Sequence, residues 1–441
     1  MPNFKKLAVS TLIVAVALLA FQTFTADPVN ADEPTEIEFW YALSGDIREA
    51  TLEFIEEFNE THPDVHVNPV HRGTYSEVLT TAIAAYGTPE APHIVQVSET
   101  LGTQTLSDSE AVYPAYELLD DYGYDVDWDD FLAPFRVEGK LAGLPFNNSV
   151  PILYYNKDAF AEAGLDPEQP PETYEDVEEM GEQLLESGAV DYAMTVGWPS
   201  WLLVENVHTW HGQPFADNAG GFEGHATELY INREFGVNMF EIFVDWHERD
   251  ILTYEGREGD PNPSFLTGDT AIIQTSTGYL SGFEESADFE LGTGFLPHND
   301  DYPQGNAWLG GGRIWSLRGH EDEKYEAIAE FKNYVTQPEQ QADWHRRTGY
   351  LPVTESAAEL LEEEGWFEEN PNHATALEQV MVEIEADTLQ GIRLGEYLSI
   401  REAILDNMEA IFAGRKDIQQ GLDDAVATGN DVLERYLDQL D

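Results

Sequence analysis

Hydrophobic residues alternate with polar ones at Val65–Val70, and two other short hydrophobic stretches lie on either side of it. Between these stretches hydrophobic residues recur every third or fourth position. Alternation predicts strands, and helical spacing, as in Leu52, Ile55 and Phe58, predicts helices. In chain order the predicted elements are a strand at Glu36–Ala42, a helix at Ile47–Asn59, a strand at Val65–Val70, a helix at Tyr75–Tyr86 and a strand at His93–Val97. This order predicts an α/β fold with a parallel or mixed sheet covered by helices, in which ligands bind beyond the carboxyl ends of the strands.

The stretch Pro145–Phe160 places polar residues directly before a hydrophobic run. Asn147–Ser149 is a turn-forming sequence, Ile152–Tyr155 has the composition of a buried strand, and Asn156 can cap the helix that follows. We expect this stretch to cross between two bodies with its polar end facing a cleft. An ordinary strand inside one large domain is the alternative.

Further elements follow the same patterns to the end of the chain. We predict a helix broken at Pro167–Pro171 within 159–187, a strand at Val190–Gly197, helices at Glu205–His211, Ile231–Asp250, Tyr325–Thr336 and Pro338–Thr348, a helix-turn-strand at Phe265–Thr275, and a mostly helical segment after Glu355.

A length of 441 residues with 42% hydrophobic residues suffices for two domains, each with its own core. Lys5 and Lys6 precede the uncharged Leu7–Phe21, which is short for a membrane span, and Val29–Ala31 fits a cleavage site. We expect residues 1–31 to be a signal peptide and the protein to be periplasmic or secreted; an uncleaved anchor is the alternative. The lack of cysteine excludes disulfides, thiolate catalysis and lipid attachment at an N-terminal Cys.

The charge balance is strongly acidic, with 21 Lys and Arg against 85 Asp and Glu and a net charge of −64. The acids are spread over the whole chain, which is typical of an acidic solvated surface in a halophilic protein, since molar salt screens their mutual repulsion. They do not form the calcium-loop pattern. A nucleic-acid partner is excluded, because binding it requires a basic surface.

Catalytic signatures are missing from the sequence. There is no G-x-S-x-G, no H-E-x-x-H and no P-loop, so we expect no enzymatic activity and no cofactor. Several histidines could in principle bind a metal, but without a ligand motif we expect them to be ordinary solvated side chains: His62, His66, His71, His208 and His211.

Several blocks of sequence resemble, in their order along the chain, the extracellular solute-binding proteins that serve as receptors of ABC importers, and within that family the sn-glycerol-3-phosphate-binding branch. Besides the stretch at 145–160, the similar blocks are Ile37–Val65, Arg72–Glu77, Ile94–Glu99, Gly164–Asp176, Gly197–Trp201, Phe265–Ile272, Trp344–Thr354 and Gly391–Arg401. The resemblance runs from about Glu36 to the C-terminus.

The resemblance implies a two-lobed periplasmic-binding-protein fold with three interlobe crossings, closing on a small ligand by hinge motion. The implied domains are an N-lobe at 32–146 and 305–352 and a C-lobe at 147–304 and 353–441. The implied partners are a phosphorylated glycerol ligand and the membrane permease of an ABC importer, and we expect a monomer.

The resemblance also implies a ligand site, residue by residue. Its expected members are Tyr75, Glu99, Ser149, Trp198, Ser276, Gly311, Tyr350 and Arg401. In this scheme Arg401, hydroxyl groups and the Gly311 amide bind phosphate, whereas Glu99 accepts hydrogen bonds from glycerol hydroxyls. Trp198 can hold a quaternary ammonium by cation–π contact, so glycerophosphocholine is a second expected ligand.

Two positions depart from the family pattern. Asn148 replaces a serine, and Arg313 follows the glycine run Gly310–Gly312 where a small residue is usual. We expect Arg313 to be a surface charge, with a phosphate contact as the alternative, and we expect Trp201 to be a core aromatic. A sugar receptor of the same fold and a secreted glycerophosphodiester hydrolase are the rival functions.

Overall fold

A computed structural model describes residues 33–132, 141–382, 384 and 391–440. The predicted signal peptide, residues 1–31, lies outside the described residues. The strands are β1 (Thr35–Tyr41), β2 (Val65–His71), β3 (Ile94–Ser98), β4 (Val112–Tyr113), β5 (Leu144–Ser149), β6 (Pro151–Asn156), β7 (Tyr192–Val196), β8 (Leu252–Thr253), β9 (Thr270–Ser276), β10 (Leu291–Gly294) and β11 (Gly310–Leu317).

The α-helices are α1 (Gly45–Thr61), α2 (Tyr75–Ala85), α3 (Glu99–Ser107), α4 (Ala115–Asp121), α5 (Lys157–Ala163), α6 (Tyr174–Ser187), α7 (Val207–Trp210), α8 (Asp217–Gly221), α9 (Glu234–Glu248), α10 (Asn262–Leu266), α11 (Leu280–Ser286), α12 (Asp322–Thr336), α13 (Pro338–Thr348), α14 (Glu355–Glu363), α15 (Trp366–Glu369), α16 (Pro371–Val380), α17 (Tyr397–Phe412) and α18 (Ile418–Leu440). A π-helix spans Trp201–Asn206 and a 3₁₀-helix spans Thr277–Tyr279. None of the described helices is both long and apolar enough to cross a membrane.

The strands form two mixed sheets. The first has the order β2-β1-β3-β11-β4, and β5 also pairs with β11. Its β1, β2 and β3 are parallel to one another, as the sequence predicted, whereas β11 runs antiparallel to β3, β4 and β5. The second sheet has the order β10-β6-β9-β7-β8, with β7 parallel to both β8 and β9.

The chain passes from the first sheet to the second at Val150, the one residue between β5 and β6. It returns between β10 and β11. A third crossing near Gly349–Val353 and the exact lobe boundaries stay predictions. Every residue of β5 and β6 is buried, so the passage lies inside the molecule.

Capping side chains mark the starts of two helices, and the cap expected at Asn156 is confirmed. Thr74 and Glu77 form a capping box at the start of α2, and Asn156 Oδ1 accepts a hydrogen bond from Ala159 N at 3.0 Å at the start of α5. The turn expected at Asn147–Ser149 is wrong. These residues are the end of β5, because β11, far along the sequence, supplies strand partners.

The helix expected at Glu205–His211 is also different. The π-helix Trp201–Asn206 begins earlier and continues directly into α7. The helix expected at Ile231–Asp250 is confirmed as the shorter α9.

Candidate functional site

A cavity of about 560 Å³ lies where the ends of the two sheets meet. Seven of the eight expected site residues line it: Tyr75, Ser149, Trp198, Ser276, Gly311, Tyr350 and Arg401. Tyr75, Ser149 and Gly311 come from elements of the first sheet's side, whereas Trp198 and Ser276 follow or end strands of the second. The eighth residue, Glu99, is not part of the lining.

Arg401 lies in α17 and forms one wall. Its Nε donates to Glu205 Oε1 at 2.8 Å, and its Nη2 donates to Glu205 Oε2 at 2.5 Å and to Thr100 Oγ1 at 2.6 Å. Glu205 is fully buried, and Ser200 Oγ also donates to it at 2.9 Å. Burial opposes the charge on Arg401, but Glu205 and Tyr397 together outweigh that effect and the pKa of Arg401 is raised. The guanidinium therefore stays charged beside the cavity.

The floor is built from the end of β5 and the start of β11. Ser149 pairs with Gly310, and Asn148 pairs with Gly311. Gly311 has φ +72°, and a Cβ there would lie 1.8 Å from Asn147 O. Only glycine fits at this position, since both the backbone angle and the space exclude a side chain. Without a side chain, the backbone of Gly311 can lie close to a ligand in the cavity.

Two tyrosines and an asparagine network stand beside the floor. Asn147 Nδ2 donates to Tyr75 Oη at 2.8 Å, and Gln96 Nε2 donates to Asn147 Oδ1 at 2.6 Å. Burial raises the pKa of both Tyr75 and Tyr350. Both phenols therefore remain protonated at neutral pH and can donate hydrogen bonds to a ligand oxygen.

Another part of the lining carries aromatic rings on a strained backbone. Trp198 and Glu258 both have φ 53°, and Trp198 N donates to Glu258 O at 2.7 Å. Two left-handed residues held together in this way are typical of functional sites. Trp198, Tyr279 and Trp201 line this side, and burial raises the pKa of Tyr279, an effect that a hydrogen bond from Trp198 partly offsets.

Carboxylates outnumber cations around the cavity. Glu77, Glu258 and Asp260 line it, and Arg401 is already paired with Glu205. Burial raises the pKa of Glu258, the neighbouring acids Asp260, Glu402 and Glu77 raise it further, and Arg401 lowers it. The lining therefore carries more acidic than basic charge, with the Arg401 guanidinium as a positive group within it.

Arg313 corrects one expectation. It is not a surface charge: only 3% of the residue is exposed, and its Nε donates to Glu99 Oε2 at 2.5 Å. Asn148 Nδ2 donates to the same oxygen at 3.1 Å. Glu99 is thus engaged behind the cavity wall, between Ser98 and Thr100, which both line the cavity.

Sequence reasoning missed several residues of this site. Glu205 gave no signal, because its position depends on the π-helix, a form that often marks functional sites. Glu258 and Asp260 come from a loop, and Tyr279 ends a short 3₁₀-helix, and none of them belongs to a sequence motif. Trp201, expected as core, is only 5% exposed but lines the cavity with an indole Nε1 that has no hydrogen-bond partner within the described structure.

Two of the five histidines differ from the expectation of solvated side chains, whereas His66 and His71 are exposed as expected. His208 and His211 are buried, and their Nδ1 atoms bond to Val204 O and Val207 O, each at 2.7 Å. Burial lowers their pKa values to about 4 and about 3, so both are neutral. Across residues 33–132, 141–382, 384 and 391–440, no group of three or more His, Cys, Asp or Glu is placed to hold a metal ion.

Comparison with known proteins places this geometry in a family. The family model of the bacterial extracellular solute-binding proteins matches residues 53–375. The sn-glycerol-3-phosphate-binding periplasmic protein UgpB of Pectobacterium atrosepticum is 36% identical over 431 residues, covering 96% of each chain. The protein of the same name from Escherichia coli is 36% identical over 416 residues, 92% of this chain and 94% of that protein.

Solved structures agree on the fold. UgpB from Mycobacterium tuberculosis, in complex with glycerophosphocholine, superposes with a TM-score of 0.76 at 22% identity, covering 92% of this chain and 98% of that one. The cyclic α-maltosyl-1,6-maltose binding protein from Arthrobacter globiformis gives 0.72 at 22% identity, with 91% and 100% covered. Both support an α/β two-lobed periplasmic-binding-protein fold. The chain belongs to the bacterial extracellular solute-binding proteins, the non-enzymatic receptors of ABC importers.

Proposed function

We propose that this receptor captures sn-glycerol-3-phosphate, and also glycerophosphocholine, in the cavity between its two sheets and closes on the ligand by a hinge motion. The observation that carries the proposal is the charged guanidinium of Arg401 at the cavity wall, with seven of the eight expected residues around the same space. The names of the relatives from Pectobacterium atrosepticum and Escherichia coli support the same ligand.

The phosphate is proposed to bind between Arg401 and the floor. A buried phosphate requires a cation and several donors. Besides Arg401, the hydroxyls of Ser149, Ser276 and Tyr350 and the backbone at Gly311 all face this space. Ser276 is held in place because its carbonyl accepts from Tyr154 Oη at 2.9 Å and its Oγ accepts from Gly278 N at 3.2 Å.

The other end of the cavity suits a cation. Trp198 and Tyr279 present aromatic faces, and Glu258 and Asp260 supply negative charge beside them. A quaternary ammonium gains both from cation–π contact and from the carboxylates. A ligand with a phosphodiester at one end and choline at the other therefore matches both ends, which supports glycerophosphocholine as the second ligand.

The same features argue against a neutral sugar as the main ligand. A sugar site needs aromatic stacking and carboxylates, both of which are present, but a neutral sugar makes no use of the positive charge of Arg401. The sugar receptor remains the rival function, because receptors with this fold, such as the Arthrobacter globiformis protein, bind sugars.

Calorimetry at about 1 M salt, where the net charge is largely screened, tests the proposal. The titrants are sn-glycerol-3-phosphate, glycerophosphocholine, glycerol and maltotriose. We expect heat of binding with the first two and none with glycerol, which isolates the contribution of the phosphate. Binding of maltotriose alone would refute the phosphate assignment and favour the sugar receptor.

A further inference from the structure

The loop at 254–261, between β8 and α10, carries a carboxylate to the cavity beside its aromatic rings. Glu258 lines the cavity and is exposed. Its backbone has φ 53°, and its carbonyl accepts a hydrogen bond from Trp198 N at 2.7 Å. A left-handed backbone at two residues that are not glycine persists only where the surrounding structure enforces it. The loop therefore fixes the backbone of Glu258 and that of Trp198 together.

The charge of Glu258 acts on two tyrosines of the lining. Burial is the main cause that raises the pKa values of Tyr75 and Tyr279, and the negative charge of Glu258 contributes to both increases. The loop also packs directly on Tyr279, because a Cβ at Gly259 would lie 2.7 Å from Tyr279 Oη. Tyr75 begins α2, on the side of the first sheet, whereas Trp198 follows a strand of the second. Glu258 is therefore a carboxylate near three aromatic rings that come from both sides of the cavity.

Arg257 ties this loop to α17. Its three guanidinium nitrogens donate to one carboxylate each: Glu402 Oε2 at 2.8 Å, Asp406 Oδ1 at 2.7 Å and Glu409 Oε1 at 2.6 Å. The three acids lie on one face of α17, because they are spaced by four and three residues. Arg257 and these acids lie outside the cavity lining. The helix that carries Arg401 therefore also supports the loop that carries Glu258.

We propose that Glu258 is a specificity-determining residue that favours ligands with a cationic headgroup over sn-glycerol-3-phosphate, and that Arg257 is the positioning residue that holds it at the cavity. This inference rests on the proposed function. A cation among the aromatic rings gains from the charge of Glu258 in addition to cation–π contact. sn-Glycerol-3-phosphate carries nearly two negative charges at neutral pH and no cation, so the same carboxylate repels it. Glu258 thus acts with opposite sign on the two ligands.

Calorimetry of Glu258→Gln tests this opposition of sign, at the lowest salt concentration at which the protein stays folded, where charges are least screened. We expect affinity for glycerophosphocholine to fall by about three- to tenfold and affinity for sn-glycerol-3-phosphate to rise by a similar factor. Glycerophosphoglycerol, which has the same phosphodiester but an uncharged headgroup, should lose no affinity. Glu186→Gln is the matched control, because Glu186 is an exposed acid of α6 outside the cavity lining, and it should change none of the three affinities.

A double-mutant cycle tests the positioning role of Arg257. In the wild-type background, Glu258→Gln should change the ratio of the glycerophosphocholine and sn-glycerol-3-phosphate affinities by about tenfold or more. In an Arg257→Gln background the carboxylate is no longer held in place, so the same substitution should change this ratio by at most about threefold. A merely structural role of Arg257 would leave the change in the ratio the same. Glu402→Gln combined with Asp406→Asn, which removes two of the three hydrogen bonds, replaces Arg257→Gln if that variant does not fold.

The possible failures are distinguishable. Affinities for sn-glycerol-3-phosphate and glycerophosphocholine that move in the same direction in Glu258→Gln would reject Glu258 as the specificity-determining residue. Equal changes of the ratio in the two backgrounds would reject the positioning role of Arg257. Both of these results leave the proposed function intact, whereas a wild-type protein that binds none of the three ligands would refute the proposed function and this inference with it.

Discussion

The pair formed by Arg401 and Glu205 allows the ligand role of the arginine to be separated from its structural role. In wild type, Glu205 has no exposed surface and receives two hydrogen bonds from the guanidinium. Arg401→Gln leaves this carboxylate with Ser200 as its remaining donor within the described residues. Leaving a buried charge without its oppositely charged partner costs roughly 3–5 kcal/mol of stability.

The loss in binding is calculated separately. A hydrogen bond from a charged donor contributes roughly 1.5–3 kcal/mol. If the phosphate loses one such bond from Arg401, its Kd rises by about 10- to 150-fold. Glu205→Gln combined with Arg401→Gln removes both charges, so we expect stability to return to within about 2 kcal/mol of wild type while binding stays weak.

Urea unfolding followed by tryptophan fluorescence measures the stability, and calorimetry with sn-glycerol-3-phosphate at about 1 M salt measures the affinity. Arg249→Gln is the matched control, because this substitution removes the same charge. Arg249 pairs with Glu178, Glu182 and Asp245, away from the cavity. Recovery of both stability and binding in the double variant would show that the arginine serves only the fold. Unchanged affinity in Arg401→Gln would place the phosphate elsewhere.

Three further predictions concern other parts of the molecule. Trp198→Ala should weaken glycerophosphocholine more than sn-glycerol-3-phosphate in calorimetry, and Trp198→Phe should restore most of the difference, because Phe keeps an aromatic face. Burial lowers the pKa of Lys332 to about 7. Between pH 7 and about 10.5 the unfolded chain therefore holds a proton that the folded chain lacks, and stability rises with pH. In urea unfolding, Lys332→Met should add about 1–4 kcal/mol of stability at pH 7 and flatten that rise, whereas Lys324→Met on the same helix should do neither. Stopped-flow association of sn-glycerol-3-phosphate should accelerate between about 0.1 and 1 M salt, as the screening length falls from about 10 to about 3 Å and the protein's charge of −64 repels the ligand less.

Each of these has an outcome that contradicts it. Equal losses for both ligands would reject the cation–π role of Trp198. A Lys332→Met variant less stable than wild type at pH 7 would mean that the hydrogen bond from Lys332 Nζ to Ile314 O, at 3.4 Å, outweighs the cost of burial. Association rates that fall with salt would mean that local attraction by Arg401 exceeds the repulsion of the whole surface.

Sequence patterns that span only a few residues, such as helix caps and short hydrophobic strands, predicted the secondary structure well. Helix caps such as Thr74 with Glu77, and Asn156, are satisfied by residues a few positions away, so the sequence alone indicates where those helices begin. The three strands up to Ser98 also follow from the sequence, because the pattern that indicates each of them lies within the strand itself. The order β-α-β-α-β then predicted a mixed or parallel sheet, and with it the edge where the cavity lies.

The errors come from contacts between distant parts of the chain. Asn147–Ser149 has turn-forming composition, but pairing with β11 and bonds from Asn147 to Tyr75 and Gln96 make it a buried strand end. Arg313 looked like a surface charge, because its carboxylate partner is 214 positions away in sequence. Buried polar residues of this kind require partners that no local pattern can reveal.

Val150 has a mechanical consequence for how such a receptor handles its cargo. It is the one residue between two fully buried strands, Pro151 restricts the backbone on one side of it, and its carbonyl accepts from Thr277 N at 3.0 Å. A rotation of one lobe about this one-residue connection moves each atom in proportion to its distance from Val150. Under the proposed hinge motion, Ser149 and Ser276 would keep their spacing, because Ser149 precedes Val150 and Ser276 pairs with Pro151. Residues further from Val150 would move more, so the ligand would contact the part of the site beside Val150 first and be enclosed by the more distant residues afterwards.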